Sequence, residues 1–226
     1  RLQEQVADAF TTISAPRYHV AGNHDLYHLT AEENANLLGQ SVASEVIDLG
    51  AWQLLLWRAD AKITWTETSR GFSLPETDYL WLSRQIVAAE KPSLIATHVP
   101  VSGHSQIGNY YFQANPDVAG YPQSPRVRAA LAQAKVPVVC LAGHVHWNTV
   151  TQIDGIFHLT QQSLTESFTT GGTPAGAMAI LELGDEISWH VSGLDPFACS
   201  FRPSATRWTP PLQPFLRTRP AVSKEG

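Results

Sequence analysis

The sequence predicts a mixed α/β sandwich, with sheets inside and helices outside. Two patterns predict it. Strand and helix alternate through the first half, and the last third reads as hairpins. Composition is the third observation. Hydrophobic residues make up 43% of the 226, enough for a sizeable core, and charged residues only 15%.

Taken in order, Arg1–Ser14 places Leu2, Val6, Ala9, Phe10 and Ile13 on one helical stripe. Tyr18–Ala21 reads as a short strand that runs into Gly22-Asn23-His24-Asp25. Ala31–Gly39 is helical. Ser41–Asp48 and Trp52–Trp57 are strands with Gly50 at the turn. Leu74–Ala89 is a helix with Ser73 as N-cap, Glu76 completing a capping box, and Leu80, Leu82, Ile86 and Val87 as its buried face. Ser93–Thr97 is a strand ending at His98, followed by a long polar loop from Val99 to Gln123. Pro125–Ala134 is a helix, and Val136–Ala142 is a buried strand ending in Gly143-His144-Val145-His146. Thr149–Ile153 with Ile156–Thr160, and Ala177–Leu183 with Ile187–Val191, form hairpins around Asp154-Gly155 and Gly184-Asp185. Trp52, Trp57, Trp65 and Trp81 read as core anchors, and His158 as a structural histidine. Residues 1–200 are expected to be one domain. Residues 201–226 carry five prolines and read as an extended tail.

Charge excludes some functions. The net charge of −5 argues against a nucleic-acid partner, and no apolar run approaches a membrane span. Cys140 and Cys199 are too few for a disulfide framework and lack zinc-finger spacing, which favours a cytoplasmic location. Residue 1 is Arg and the single Met is Met178, so the chain is expected to be part of a longer one.

Three polar clusters fall just after strands: Asn23-His24-Asp25, His98, and His144 with His146. Ligands collect at the carboxyl ends of strands in α/β sheets. Imidazoles with an amide oxygen there read as a metal site, and Gly22 and Gly143 allow close backbone approach.

Gly22-Asn23-His24-Asp25, Thr97-His98 and Gly143-His144-Val145-His146 together resemble the calcineurin-like metallophosphoesterase superfamily, in order and in spacing. The resemblance spans Tyr18 to Val191. It implies a four-layer sandwich of two mixed β-sheets flanked by helices. It also implies two divalent or trivalent metal ions (Mn, Fe or Zn) and hydrolysis of a phosphoester by metal-bound hydroxide. Carried over by motif, Asn23, His98 and His144 bind one metal and His146 the other. His24 steadies the phosphate and acts as general acid, with Asp25 orienting its ring.

The family pattern opens with Asp-x-His and Gly-Asp, and neither precedes Gly22. The expectation is a domain lacking its N-terminal strands, with an open sheet edge through which a second copy could pair or swap. The segment after His144 also resembles the branch containing cyclic-nucleotide phosphodiesterases and manganese-dependent ADP-ribose/CDP-alcohol diphosphatases. That favours a small-molecule phosphodiester or pyrophosphate, with His104, Asn109 and Tyr110 of the long loop as substrate contacts. Two other readings fit the same residues. One is an inactive scaffold acting in binding or assembly. The other is a mononuclear zinc hydrolase using Asn23, His98 and His144.

Overall fold

The computed structural model describes residues 2–68, 70–104 and 106–208. Its centre is a six-stranded mixed sheet in the order β1-β2-β5-β6-β8-β7. The strands are β1 (Glu45–Asp48), β2 (Gln53–Leu56), β5 (Ser93–Thr97), β6 (Val138–Ala142), β7 (Thr149–Ile153) and β8 (Ile156–Thr160). β2, β5, β6 and β8 run parallel, so β5, β6 and β8 present their carboxyl ends along one edge. β1 and β7 are antiparallel to their neighbours and end the sheet.

Both faces of this sheet are covered, and the alternation of side chains shows by what. Ile95, Val138 and Cys140 point into a core shared with Leu82 and Ile86 of α3 (Glu76–Ala88) and with Val127 and Leu131 of α4 (Ser124–Leu131). Leu94, Val139 and Leu159 point the other way, onto Ile187, Trp189 and Val191. Those three belong to β10 (Ile187–Ser192), the middle strand of an antiparallel sheet with β9 (Met178–Glu182) and β11 (Phe197–Phe201). The expected α/β architecture is present, a mixed sheet flanked by helices and a further sheet, but that further sheet is antiparallel rather than mixed. Helices cover one face of the large sheet and a further sheet covers the other. The outer face of the small sheet, with Met178 and Ile180, is exposed.

Several local expectations change. Tyr18–Ala21 is not a strand, because among the described residues no ladder partner lies beside it; the His19 carbonyl accepts from the Arg58 guanidinium instead. The capping box at Ser73 does not form. The helix starts after Pro75, and the Glu76 carboxylate is taken by Arg126. In α3 only Leu82 and Ile86 of the four expected apolar residues are buried, while Leu80 and Val87 face solvent. In α1 (Leu2–Thr11), Val6 and Phe10 are likewise exposed. A true capping box appears at α2 (Ala31–Leu38), where Thr30 and Glu33 exchange bonds and Gly39 closes the helix in the left-handed region. Two elements escape the pattern reading: β11, and the short hairpin of β3 (Ile63–Trp65) with β4 (Arg70–Phe72). The hairpin leaves Trp65 exposed, contrary to its expected place in the core. At the end of the described chain, Arg207 donates to the Val136 carbonyl and the Trp208 N–H to that of Asp154. The remainder of the expected tail, 209–226, lies outside the described residues.

His158 on β8 is buried, as expected, and its Nε2 has no partner among the described residues. Burial, helped by the Arg128 charge, lowers its pKa from 6.5 to about 4. Its folded-state pKa is depressed, so its contribution is complete above the unfolded pKa and is lost as pH falls through 6.5 towards 4. We expect a loss of up to about 3 kcal/mol over that window. Urea unfolding at pH 7 and pH 4.5 checks it: His158→Phe removes part of the acid sensitivity, and an identical sensitivity in both proteins overturns the assignment.

Candidate metal centre

The site lies at the carboxyl ends of β5 and β6. His98 is the first residue after β5, and His144 and His146 follow β6. Backbone bonds fix these ends together: the Gly143 N–H donates to the His98 carbonyl at 3.1 Å. His144 and His146 both have positive φ, 65° and 53°, so the chain folds back on itself and turns both rings to one side. Asn109 holds that turn, with its amide donating to the Val145 carbonyl at 3.0 Å while its oxygen accepts from the Tyr111 and Phe112 N–H groups.

The loop after Ala21 brings in Asn23. The Asp25 carboxylate accepts from the Gly22 N–H at 2.7 Å and closes the loop. Asp25 therefore shapes the loop; among the described hydrogen bonds none joins it to His24, the role expected of it. Gly22 is needed for packing. A Cβ there would lie 2.6 Å from His98 Cε1. We expect Gly22→Ala to displace the His98 ring and cost about 1–3 kcal/mol. Thermal unfolding of the variant checks this, and an unchanged midpoint would show that the ring has room to move.

Asn23 Oδ1 is the hub. It lies 3.0 Å from His98 Nε2 and 3.1 Å from His144 Nδ1. The Asn23 amide nitrogen donates to the Tyr27 hydroxyl at 3.1 Å, which sets the oxygen towards the histidines. His144 Nε2 lies 2.6 Å from the Val118 carbonyl and must carry its proton to donate there. Burial lowers the His144 pKa to about 4, so the ring is neutral at pH 7 and Nδ1 is bare. A bare Nδ1 thus faces an amide oxygen, lone pair to lone pair. A cation between them would satisfy both lone pairs. For ligands at about 2.1 Å, neighbouring donors around a metal stand roughly 3 Å apart, the spacing seen here. Among the described residues no three His, Cys, Asp or Glu side chains close on one point; the Asn23 oxygen completes the set, and two imidazoles with an amide oxygen are donors of a kind that suits a metal ion.

His98 is lowered further, to about 3, by burial and then by the neighbouring imidazoles His144, His146 and His24. His146 Nδ1 lies 3.0 Å from Glu166 Oε2 and donates to it. Glu166 is 3% exposed. Burial works to raise its pKa, but hydrogen bonds from Tyr110, from the Phe168 and Ser167 N–H groups and from His146 outweigh that and hold it below the usual range. This carboxylate orients the ring, and a carboxylate on one imidazole nitrogen raises the basicity of the other.

The structure therefore gathers Asn23, His98 and His144 into one donor set and sets His146 beside them. His24 is exposed, 4.8 Å from the Tyr27 ring, and lines a cleft of about 300 Å³ with Asn23, His144, His146 and Tyr110. Two expected substrate contacts are elsewhere. Asn109 is buried and spent on backbone. His104 lines a separate cavity with Gly103, Gln106 and Pro116. Sequence reasoning missed Glu166. Its signal was an acidic residue shortly after β8, whose end shares the same sheet edge. The Val118 carbonyl carried no signal, since any residue supplies one.

A family profile described as calcineurin-like phosphoesterase matches residues 1–148. Among solved structures, a dimetal phosphatase from Danio rerio is similar at 17% identity and a TM-score of 0.65, over 89% of this chain and 76% of that one. A conserved uncharacterized protein from Streptococcus pneumoniae, described as a predicted phosphoesterase, shares 16% identity over 89% of both chains at a TM-score of 0.37. Vps29 from Entamoeba histolytica shares 14% over 77% of this chain and 79% of that one, at 0.34. Of these, the zebrafish protein bears on the fold, and at that identity on the fold alone. No curated protein sequence matches the chain.

Proposed function

The chain belongs to the calcineurin-like phosphoesterase family, a family of metal-dependent phosphoester hydrolases, and from that premise we propose how its residues act and on what. The observation that carries the reading is the bare His144 Nδ1 facing Asn23 Oδ1. Asn23 Oδ1, His98 Nε2 and His144 Nδ1 hold one ion, and His146 Nε2 contributes to a second. Bound metal ions neutralise phosphoryl oxygens and make water nucleophilic at neutral pH. His24, at the open side of the cleft, steadies the phosphoryl group. It gives its proton to the leaving oxygen as the phosphorus–oxygen bond breaks. Glu166 accepts from His146 Nδ1 and so favours the tautomer whose Nε2 would be free to ligate.

Two imidazoles and an amide oxygen form a borderline donor set, which suits Mn, Fe or Zn. A cleft of about 300 Å³ is small-molecule sized, and supports a phosphodiester or pyrophosphate over a phosphoprotein. Among the described residues no helix is long and apolar enough to cross a membrane. Both cysteines are free, and we place the protein in the reducing cytoplasm. A second reading concerns assembly: among the described residues β1 and β7 have no outer partner strand, and two copies could join there. Light scattering across a concentration series tests it, a constant monomer mass excluding it.

The test of the hydrolase reading is direct. Protein purified without chelators is loaded with Mn²⁺, its metal content is measured, and bis-p-nitrophenyl phosphate and p-nitrophenyl phosphate are offered. Metal uptake and chelator-sensitive hydrolysis, faster on the diester, are expected. Metal-loaded protein that hydrolyses neither ester overturns the reading.

A further inference from the structure

Trp65 stands 64% exposed on β3 and lines the same cleft as His24, His144 and His146. Phe168 is 71% exposed and lines it too. Its ring is stacked on Tyr110, with centroids 4.0 Å apart and planes 20° apart. These rings come from separate segments: the β3–β4 hairpin, the long loop after β5, and the loop after β8. Exposed rings scattered singly over a surface need no explanation, but rings gathered around one polar site mark a ligand contact.

The stacked pair is also held in register with the metal site. Glu166 Oε2 accepts from the Tyr110 hydroxyl at 2.6 Å, and Oε1 accepts from the Phe168 N–H at 2.7 Å. The same carboxylate accepts from His146 Nδ1. One buried group thus fixes an aromatic platform and a metal-facing imidazole together, so a ring seated on the platform has a set distance to the phosphoryl position. Order of this kind before binding reduces what binding must spend on ordering the site. Arg70 adds a cation. Its guanidinium lies 5.5 Å over the Trp65 ring, donates to the Asn115 oxygen and lines the cleft.

We propose that Trp65, Phe168 and Tyr110 form a stacking seat that selects phosphoesters carrying a flat aromatic ring, a nucleobase or an aryl group, over those carrying aliphatic or sugar groups. The proposal rests on the phosphoesterase reading and names the substrate class of that site. Stacking of one ring on an aromatic side chain gives a preference on the order of ten- to a hundred-fold.

The test uses phosphonates, whose carbon–phosphorus bond resists hydrolysis, in titration calorimetry with the Mn²⁺-loaded protein. Phenylphosphonate is compared with cyclohexylphosphonate, of similar size but not flat. Adenosine α,β-methylene diphosphate is compared with methylene diphosphonate. The flat member of each pair is expected to bind at least about tenfold tighter. Trp65→Leu and Phe168→Leu, both at exposed positions that tolerate change, are expected to erase that advantage while metal content stays the same. Equal affinity within both pairs, or variants that keep the preference, overturns the seat. An advantage that is larger for the adenosine probe assigns nucleotides, and one confined to phenyl assigns small aryl esters; both uphold it. Selective binding without turnover of any ester would sink the hydrolase reading and leave the seat standing. Turnover without selectivity would do the reverse.

Discussion

Replacing His144 with alanine is expected to lower the metal held per chain and to cut phosphoester turnover by more than about a hundred-fold. The imidazole is 6% exposed and packed by two rings, Phe72 at 5.0 Å and Phe112 at 4.9 Å between centroids. Its two nitrogens both have neighbours, Nε2 the Val118 carbonyl at 2.6 Å and Nδ1 the Asn23 oxygen at 3.1 Å. Alanine leaves Asn23 and His98 to hold an ion with one donor fewer, and leaves the Val118 carbonyl without its partner. The variant must first be shown to unfold cooperatively, because a cavity between two phenyl rings also destabilises. His144→Asn serves as the folding control, since asparagine tolerates positive φ. Metal per chain by mass spectrometry, read alongside the rate, decides the matter. A folded variant that retains its full metal content removes His144 from the ligand set.

Glu166→Gln is expected to weaken metal binding about 10- to 100-fold. Glutamine keeps the size and one acceptor oxygen but loses the charge that favours a proton on His146 Nδ1. The wild-type carboxylate accepts four hydrogen bonds, from Tyr110, His146, Ser167 and Phe168. Tyr110→Phe removes one of the four and leaves the charge, so its effect is smaller. A metal titration followed by calorimetry distinguishes the two variants. Equal affinities for Glu166→Gln and the parent would mean that the bond to His146 does no orienting.

The central sheet was legible in the sequence because it is buried on both faces. Leu94-Ile95 and Val138-Val139-Cys140 are continuous apolar runs, and a histidine stands just beyond the strand that holds each, His98 after Thr97 and His144 after Ala142-Gly143. The β7–β8 hairpin was legible from Asp154-Gly155, whose φ values of 56° and 81° are what that turn requires. The meeting of Asn23, His98 and His144 was legible because the motif fixes residue type and strand end together. The misses share a cause: their signals are not local. Trp65 reads as core by type, and its exposure follows from the hairpin standing at the mouth of the cleft. Leu80 and Val87 fit a helical stripe, yet the face α3 buries is set by the sheet and by α4, and it is narrower. Asp25 sits beside His24 in sequence but turns back to the Gly22 N–H. Glu166 becomes part of the site only because β8 runs parallel to β6 and delivers the chain to the same edge. Asn109 looks like a loop residue free to meet substrate, and it is instead the brace of the His144–His146 turn.

The left-handed backbone at His144 and His146 narrows what can replace them. A β-branched residue there meets a steric penalty of roughly 1–2 kcal/mol before any chemistry is considered. Asparagine and aspartate meet almost none, and each brings an oxygen. The turn is thus permissive towards one kind of exchange, imidazole for carboxylate or amide, and closed to most others. Such an exchange leaves the chain path intact while moving the site from borderline towards hard cations. If these two residues ligate, the preferred ion would be adjustable at both without rebuilding the loop that carries them.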